Sequence, residues 1–214
     1  MRLKRLLVIL GIALPLLFLV MSWKVEEPFF EDVPVTNRAI PEAKEIPAKA
    51  VAYEVTDDSI TILKYLYLKH FTPAEYVSGK GGGAWAIPAQ IEGLPVTRIG
   101  ADAFSSEKMS HITVPNSVVI IERRAFQFMD NLRSIVIGAN VERIGTAVFF
   151  YSKLGPVIFL GDAPEVQGEF PERAYVYRKP DAKGWGDTFA GRPVKLISDE
   201  TLIQRGLLPT TLDP

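Results

Sequence analysis

The chain has 214 residues with a formal net charge of −1, of which 48% are hydrophobic and 23% charged, and it contains no cysteine. This composition is typical of a globular domain with an extension, and the lack of cysteine excludes disulfides, thiolate metal sites and a cysteine nucleophile. Residues 1–24 hold four basic residues and no acidic one, so the rest of the chain holds 20 basic and 25 acidic residues, a net charge of −5. Such a body, with no basic stripe, is predicted to bind no nucleic acid.

The first predicted element is an apolar helix within residues 1–23, interpreted as a signal anchor or a signal peptide. Leu6–Met21 carries no charge and follows three basic residues, whereas a core helix would show a polar face. A retained anchor is favoured, because residues 6–23 just reach the length of a membrane span and a mediocre cleavage site precedes Trp23. The basic flank predicts a membrane-anchored protein with a periplasmic or extracellular body, or a secreted protein if the segment is cleaved.

A proline-rich stalk is predicted at residues 24–48. Four prolines lie between Pro28 and Pro47, about six residues apart, and proline at this density blocks helices and favours an extended spacer. We expect the folded domain with its caps at residues 49–197, followed by a C-terminal tail at residues 198–214.

A unit of 22 to 23 residues occurs three times in the predicted domain. The segment Val96–Phe104 matches Val118–Phe126 and then Val141–Phe149, so that the three phenylalanines are 22 and 23 residues apart. The second half of the unit repeats an apolar pattern in Met109–Val114, Leu132–Ile137 and Leu154–Phe159. Self-similarity at such a fixed period is the signature of a solenoid.

The repeat predicts how the chain packs. Alternation in the second half of each unit is typical of a short strand with one buried face. We expect Phe104, Phe126 and Phe149 to stack in one buried column, because each occupies the same position of its unit and places a large ring in the core. One unit cannot bury its own apolar residues, so its neighbours must cover them. The predicted fold class is therefore mainly β, a short solenoid of about three to four 22–23-residue units after one N-terminal hydrophobic helix.

A solenoid this short needs caps at both ends. The segments Ala50–Glu54 and Ile60–Tyr67 predict a β-hairpin over the first unit. The elements predicted at the other end are a strand at Ala174–Tyr177, two covering aromatics, Trp185 and Phe189, and a helix at Asp199–Arg205 capped by Ser198.

These repeats resemble the bacterial surface-antigen type of leucine-rich repeat, often called BspA-like, whose unit reads approximately L-x-x-I-x-I-P-x-x-V-x-x-I-G-x-x-A-F. The resemblance covers about residues 50–196 and is closest over 93–161. Glu122 stands where the family has glycine, and Val148 stands where it has alanine. The resemblance implies a right-handed leucine-rich-repeat solenoid on an exported or surface protein, with a role in binding rather than in catalysis.

The sequence shows no constellation of residues that indicates catalysis. His70 and His111 are the only histidines, and neither lies in a recognisable acid, nucleophile or metal-ligand motif. The glycine-rich segment Ser78–Gly83 lacks the residue order of a phosphate-binding loop. We therefore predict that the protein is not an enzyme and has no catalytic residue, cofactor or metal site.

Two functions remain open. The first is an interaction module, presented outside a membrane, that binds a protein or glycan through the strand face of the solenoid. The alternative is a structural envelope protein or accessory subunit without a ligand of its own. Strand alternation points Val136 and Ile158 away from the core, so we expect them to form a small exposed apolar patch. The candidate partner-binding residues are His111, Thr113, Arg133, Ser134, Val136 and Ile158.

Overall fold

The computed structural model describes residues 43–66 and 83–204, which all belong to one compact unit, residues 34–214. The predicted N-terminal helix, the membrane contact at residues 6–23 and His70 lie outside the described residues. Among the residues that are described, no helix has the length and apolar character needed to cross a membrane. The prediction of a mainly β solenoid is confirmed, with about four turns and almost no helix.

The described chain forms short strands separated by turns, with between two and seven residues in a strand. The strands are β1 Lys44–Glu45, β2 Val51–Thr56, β3 Ser59–Tyr65, β4 Ala84–Ala86, β5 Gln90–Ile91, β6 Leu94–Ile99, β7 His111–Thr113, β8 Ile120–Ile121, β9 Ser134–Ile137, β10 Arg143–Ile144, β11 Pro156–Phe159, β12 Glu165–Val166, β13 Tyr175–Arg178, β14 Thr188–Phe189 and β15 Arg192–Leu196. The helices are a 3-10 helix at Ala48–Ala50 and an α-helix, α1, at Asp199–Gln204.

Two sheets run along opposite sides of the coil. Sheet A has the strand order β1-β4-β7-β9-β11-β13-β15-β14, and sheet B has the order β12-β10-β8-β6-β3-β2. The repeated strands pair in parallel with those of the preceding and following turns, so that Ile112, Ile135 and Val157 lie side by side. All three are buried. Since each unit bonds to its neighbours rather than to itself, the repeats are stable only when stacked.

The predicted phenylalanine column is confirmed. The ring centroid of Phe126 lies 5.5 Å from that of Phe104 and 5.9 Å from that of Phe149, and the rings are inclined by 18° and 19°. Tyr65 extends the column at 5.8 Å from Phe104, and Phe170 closes it at 5.1 Å from Phe149. All five rings are buried, so the column runs through the core from the first cap to the last turn.

The N-terminal cap contains the predicted hairpin and, ahead of it, a short segment that the sequence assigns to the stalk. Strands β2 and β3 pair antiparallel around a turn in which Asp57 adopts a φ of 52°. Ahead of them, β1 pairs in parallel with β4, and the N–H of Ile46 donates to the carbonyl of Ala86 at 2.8 Å. Ile46 is fully buried in the core. The predicted boundary at residues 48 and 49 is therefore wrong, because the end of the proposed stalk is part of the domain.

Two aromatic residues cover the last turn, as predicted. Phe159 lies 4.9 Å from Trp185 and 5.3 Å from Phe189, measured between ring centroids. The Trp185 Nε1–H donates to the carbonyl of Gly161 at 3.2 Å, which satisfies the polar end of the indole. These contacts close the apolar interior at the C-terminal end of the solenoid.

The predicted C-terminal helix is present as α1. The N–H of Thr201 donates to the Ser198 Oγ at 3.2 Å, so Ser198 caps the helix as expected. The helix extends to Gln204, and the predicted last residue, Arg205, lies outside the described residues.

Close approach between turns explains two repeat positions. A Cβ on Gly138 would lie 2.5 Å from the carbonyl oxygen of Pro115 in the preceding turn, so only glycine fits there. Glu122, which departs from the glycine of the repeat, accepts from Arg98 Nη1 at 3.0 Å and from the Ala101 N–H at 3.1 Å. Its carboxylate therefore links two turns, and this departure has a structural role.

Candidate functional site

The predicted exposure of the apolar pair on the strand face is wrong. Parallel register places Thr113 beside Val136, Val136 beside Ile158, and Ile158 beside Tyr177. Val136 and Ile158 are each only 1% exposed. Neither belongs to the interior core cluster, so the alternation rule placed them correctly on the other side of the sheet. That side is covered, and the pair offers no free surface to a partner.

Other apolar residues outside the interior core are also buried, namely Ala84, Tyr177, Ile197 and Leu202. Two of them follow the last strand of sheet A. The Ile197 N–H donates to the carbonyl of Arg178 at 3.0 Å, and Asp199 Oδ2 lies 3.2 Å from Lys179 Nζ. These contacts hold the start of α1 beside the end of β13.

The polar candidate residues of the strand face differ in their exposure and contacts. His111 Nδ1 lies 2.7 Å from the Ser134 Oγ, and Ser134 itself is buried. Burial, followed by the charge of Arg133, lowers the pKa of His111 below its ordinary value. Arg133 is exposed, whereas Thr113 and His111 are only partly accessible. Of the six candidate residues, Thr113, Val136 and Ile158 lie side by side in sheet A, His111 and Ser134 are joined by a hydrogen bond, and Arg133 is the one that is exposed.

An exposed group of three aromatic side chains lies at one edge of the solenoid, and we name it the aromatic edge. Phe128, Phe150 and Tyr151 are 44%, 48% and 70% exposed. The Phe150 centroid lies 5.9 Å from that of Phe128 and 4.3 Å from that of Tyr151, with edge-to-face geometry in both pairs. The Phe128 and Tyr151 rings are 5.7 Å apart and nearly parallel, at 7°. Three mutually packed rings form an apolar patch that solvent can reach.

The backbone beneath the aromatic edge is unusual for such large residues. Phe128 has a φ of 56° and Tyr151 a φ of 53°, in the left-handed region that bulky side chains rarely occupy. Residues held there cost about 1–3 kcal/mol each, and such residues cluster at functional sites. The equivalent residue of the preceding repeat is Ser106, which has a φ of 67°.

The fold itself does not require these aromatic side chains. The Ser106 N–H donates to the carbonyl of Gln127 at 2.9 Å, and the Phe128 N–H donates to that of Phe150 at 2.8 Å. The same backbone ladder therefore forms over a serine and over a phenylalanine. The rings are additions to the repeat rather than parts of its framework, and this favours a role in contacting another molecule.

An exposed ion pair follows two of the aromatic positions. Asp130 lies two residues after Phe128, and Lys153 lies two residues after Tyr151. Lys153 Nζ and Asp130 Oδ1 are 3.9 Å apart on the surface. The pair supplies a hydrogen-bond acceptor and a hydrogen-bond donor of opposite charge.

The sequence analysis missed the aromatic edge, although the repeat contains its signal. After the buried phenylalanine, the first repeat continues with two serines, the second with Gln127 and Phe128, and the third with Phe150 and Tyr151. The substitution of aromatic for small polar residues at equivalent positions is visible from the alignment of the repeats. Its significance depends on exposure, which the sequence does not give.

No group of His, Cys, Asp or Glu in the described ranges, 43–66 and 83–204, has the arrangement of a metal site. The chemistry available at the candidate site is therefore described by its rings, its hydroxyl groups and its paired charges.

Comparison with known proteins identifies the repeat. The model of the BspA type leucine-rich repeat region matches residues 91–168 in six copies. The resemblance inferred from the sequence is thus confirmed for the repeat region. Proteins with this repeat are commonly interaction modules.

Several solved structures are similar to this chain. A leucine-rich repeat protein from Bacteroides capillosus is 24% identical, with 63% of this chain and 97% of that chain covered and a TM-score of 0.48. The T. pallidum leucine-rich repeat protein is 28% identical, with 63% and 71% covered and a TM-score of 0.41. The pneumococcal vaccine antigen PcpA is 20% identical, with 73% and 38% covered and a TM-score of 0.42. A search of the curated proteins gave no match.

Proposed function

We propose that this protein, whose repeat region is of the BspA leucine-rich repeat type, is a non-catalytic interaction module presented outside a membrane. The aromatic edge, rather than the strand face, contacts a protein or glycan. The observation that carries this proposal is the exposure of Phe128, Phe150 and Tyr151 on a repeat that accepts serine at the same positions. Aromatic residues are also the side chains that most often dominate binding energies.

Presentation outside a membrane rests on the N-terminal sequence. The uncharged segment at residues 6–23 with its basic flank has the character of an anchor whose following chain is exported. Surface location is also typical of proteins with this repeat. Mass spectrometry of the mature N-terminus, combined with protease digestion of cells whose outer envelope is permeabilised while the cytoplasmic membrane stays intact, tests both points. Recovery of a chain that begins at Trp23 would show cleavage, and protection of the body from protease would contradict export.

One observation favours the alternative of a structural envelope protein or accessory subunit. Val136, Ile158 and Tyr177 on the strand face are buried, so this part of the repeat is closed to an outside ligand. In that case the aromatic edge would pack permanently against a subunit of an assembly instead of exchanging ligands.

Capture with the full chain tests the proposal directly. We compare the unmodified chain with a double variant, Phe128→Ser with Tyr151→Ser. Each protein is solubilised in detergent, immobilised on a support and incubated with an envelope extract. Serine is chosen because Ser106 holds the same backbone in the first repeat. We expect at least one protein or glycan species to be depleted about tenfold by the double variant, which corresponds to 1.4 kcal/mol of binding energy. Identical captured species with both proteins would refute a role for the aromatic edge.

A time course separates the two functions. A ligand of an interaction module exchanges with free competitor, whereas a subunit of a stable assembly remains bound through repeated washing. Co-purification in fixed proportion at every step would therefore favour the alternative.

A further inference from the structure

Resting on the proposed function, we propose that the aromatic edge binds an uncharged carbohydrate chain. The ring of Tyr151 stacks on a pyranose ring, and Asp130 and Lys153 hydrogen-bond to its hydroxyl groups. Charge balance, patch size and ring chemistry each support this ligand class over the other candidates.

Charge argues against polyanionic and polycationic ligands. A surface that selects nucleic acid, an anionic glycan or an anionic membrane presents an excess of Lys and Arg. The charged side chains two residues after Phe128 and Tyr151 are one acid and one base, Asp130 and Lys153, and they pair with each other. Such a pair gives no net attraction to a charged polymer. A neutral ligand does not depend on such attraction.

The size of the apolar patch argues against a protein partner. A standard protein interface buries about 800 Å² on each side around an apolar centre. An aromatic side chain supplies about 150–250 Å² when fully buried, and the three rings of the aromatic edge are already partly covered by one another. Their surroundings are polar, with Ser106, Asp130 and Lys153 all exposed. The patch therefore matches one or two sugar rings better than a protein surface.

Ring chemistry supports a sugar in particular. The face of an aromatic ring is electronegative, so it attracts the weakly positive C–H groups on the apolar face of a pyranose. Tyr151 is the most exposed of the three rings, at 70%, so a pyranose can reach it more freely than the other two. At 3.9 Å from each other, the Asp130 carboxylate can accept from a hydroxyl while the Lys153 ammonium donates to the next.

Direct binding measurements test the inference. The full chain is kept in a detergent without sugar groups and titrated by calorimetry with three neutral probes, namely chitotetraose, cellohexaose and maltohexaose. We expect saturable binding of at least one probe, and the Phe128→Ser, Tyr151→Ser double variant should raise its Kd by at least about tenfold. The matched control is Tyr175→Ser, which removes an exposed tyrosine from β13 and should change the Kd by less than about twofold. Circular dichroism verifies that each variant is folded.

The outcomes separate the carbohydrate inference from the proposed function. Absence of binding with all three probes, or equal binding by the double variant, overturns the carbohydrate inference. If the double variant nevertheless loses a captured protein, the aromatic edge is a protein contact and the proposed function stands. If neither the saccharide titration nor the capture depends on the two rings, both proposals fail.

Discussion

Truncation of the central ring of the column, Phe126→Ala, tests the packing scheme on which the repeat register depends. Phe126 is fully buried and stacks on Phe104 at 5.5 Å and on Phe149 at 5.9 Å. Alanine at this position keeps the backbone ladder and removes only the ring. The decrease in the free energy of unfolding therefore reports the contribution of one ring of the column.

The magnitude follows from two contributions. Burial of an aromatic side chain is worth about 2–3 kcal/mol, and two stacked partners add about 0.5–1.5 kcal/mol each. Their sum agrees with the range of about 3–5 kcal/mol observed when buried phenylalanines are replaced by alanine. Since marginal domains have only about 5–15 kcal/mol of stability, so short a solenoid should lose much of its resistance to denaturant.

Equilibrium unfolding in urea, followed by circular dichroism, measures the loss. Phe128→Ala provides the matched control, because Phe128 is two residues away, exposed and not part of the column. We expect the control to change the free energy of unfolding by less than about 1 kcal/mol. Equal effects of the two substitutions, or a Phe126→Ala loss below about 1 kcal/mol, would show that the column does not hold the turns together.

Three further predictions concern other parts of the structure. Gly138→Ala should lower the free energy of unfolding in urea by about 1–3 kcal/mol, because the new methyl group meets the preceding turn. Gly186→Ala is the control and should be nearly neutral, since no atom lies closer than 3.6 Å to the added Cβ. In an NMR titration His111 should show a pKa below about 6.5, and Arg133→Gln should raise it. Because the pKa of His111 is lower in the folded protein than in the unfolded chain, the free energy of unfolding should decline as the pH falls below the unfolded-chain pKa. A difference in stability between wild type and His111→Gln that does not change with pH would contradict this. Val136→Asp should cost about 3 kcal/mol or more, since it buries a charge, and a folded, equally stable variant would show that the strand face is open.

Much of the fold was predictable because the repeat encodes it redundantly. The spacing of the three phenylalanines fixed the column, and the alternation in each unit fixed which strand residues face the core. The caps were predictable because exposed turns of a solenoid must be covered by apolar groups, and Trp185 with Phe189 were the aromatics that follow the strand predicted at Ala174–Tyr177.

The domain boundary was missed because a very short strand has no periodicity. Strand β1 has two residues, Lys44 and Glu45, and both are exposed. Only Ile46 is buried, and it is followed by Pro47 in a segment whose prolines are typical of a spacer. Its burial depends on a parallel pairing with β4, about forty residues away, which no local pattern indicates.

The candidate site shows what a repeat does and does not predict about function. Alternation gives the direction of a side chain but not what lies beyond it, and Val136 lies outside the interior core yet is only 1% exposed. Departures from the repeat are more informative, yet they need a structural test. Glu122 departs from the pattern and is bound to Arg98 and to the Ala101 N–H, so the fold accounts for it. Tyr151 departs equally, remains 70% exposed, and occupies a strained backbone position where serine suffices. Because the fold does not require the exposed ring of Tyr151, this departure from the repeat is the one on which the proposed binding function rests.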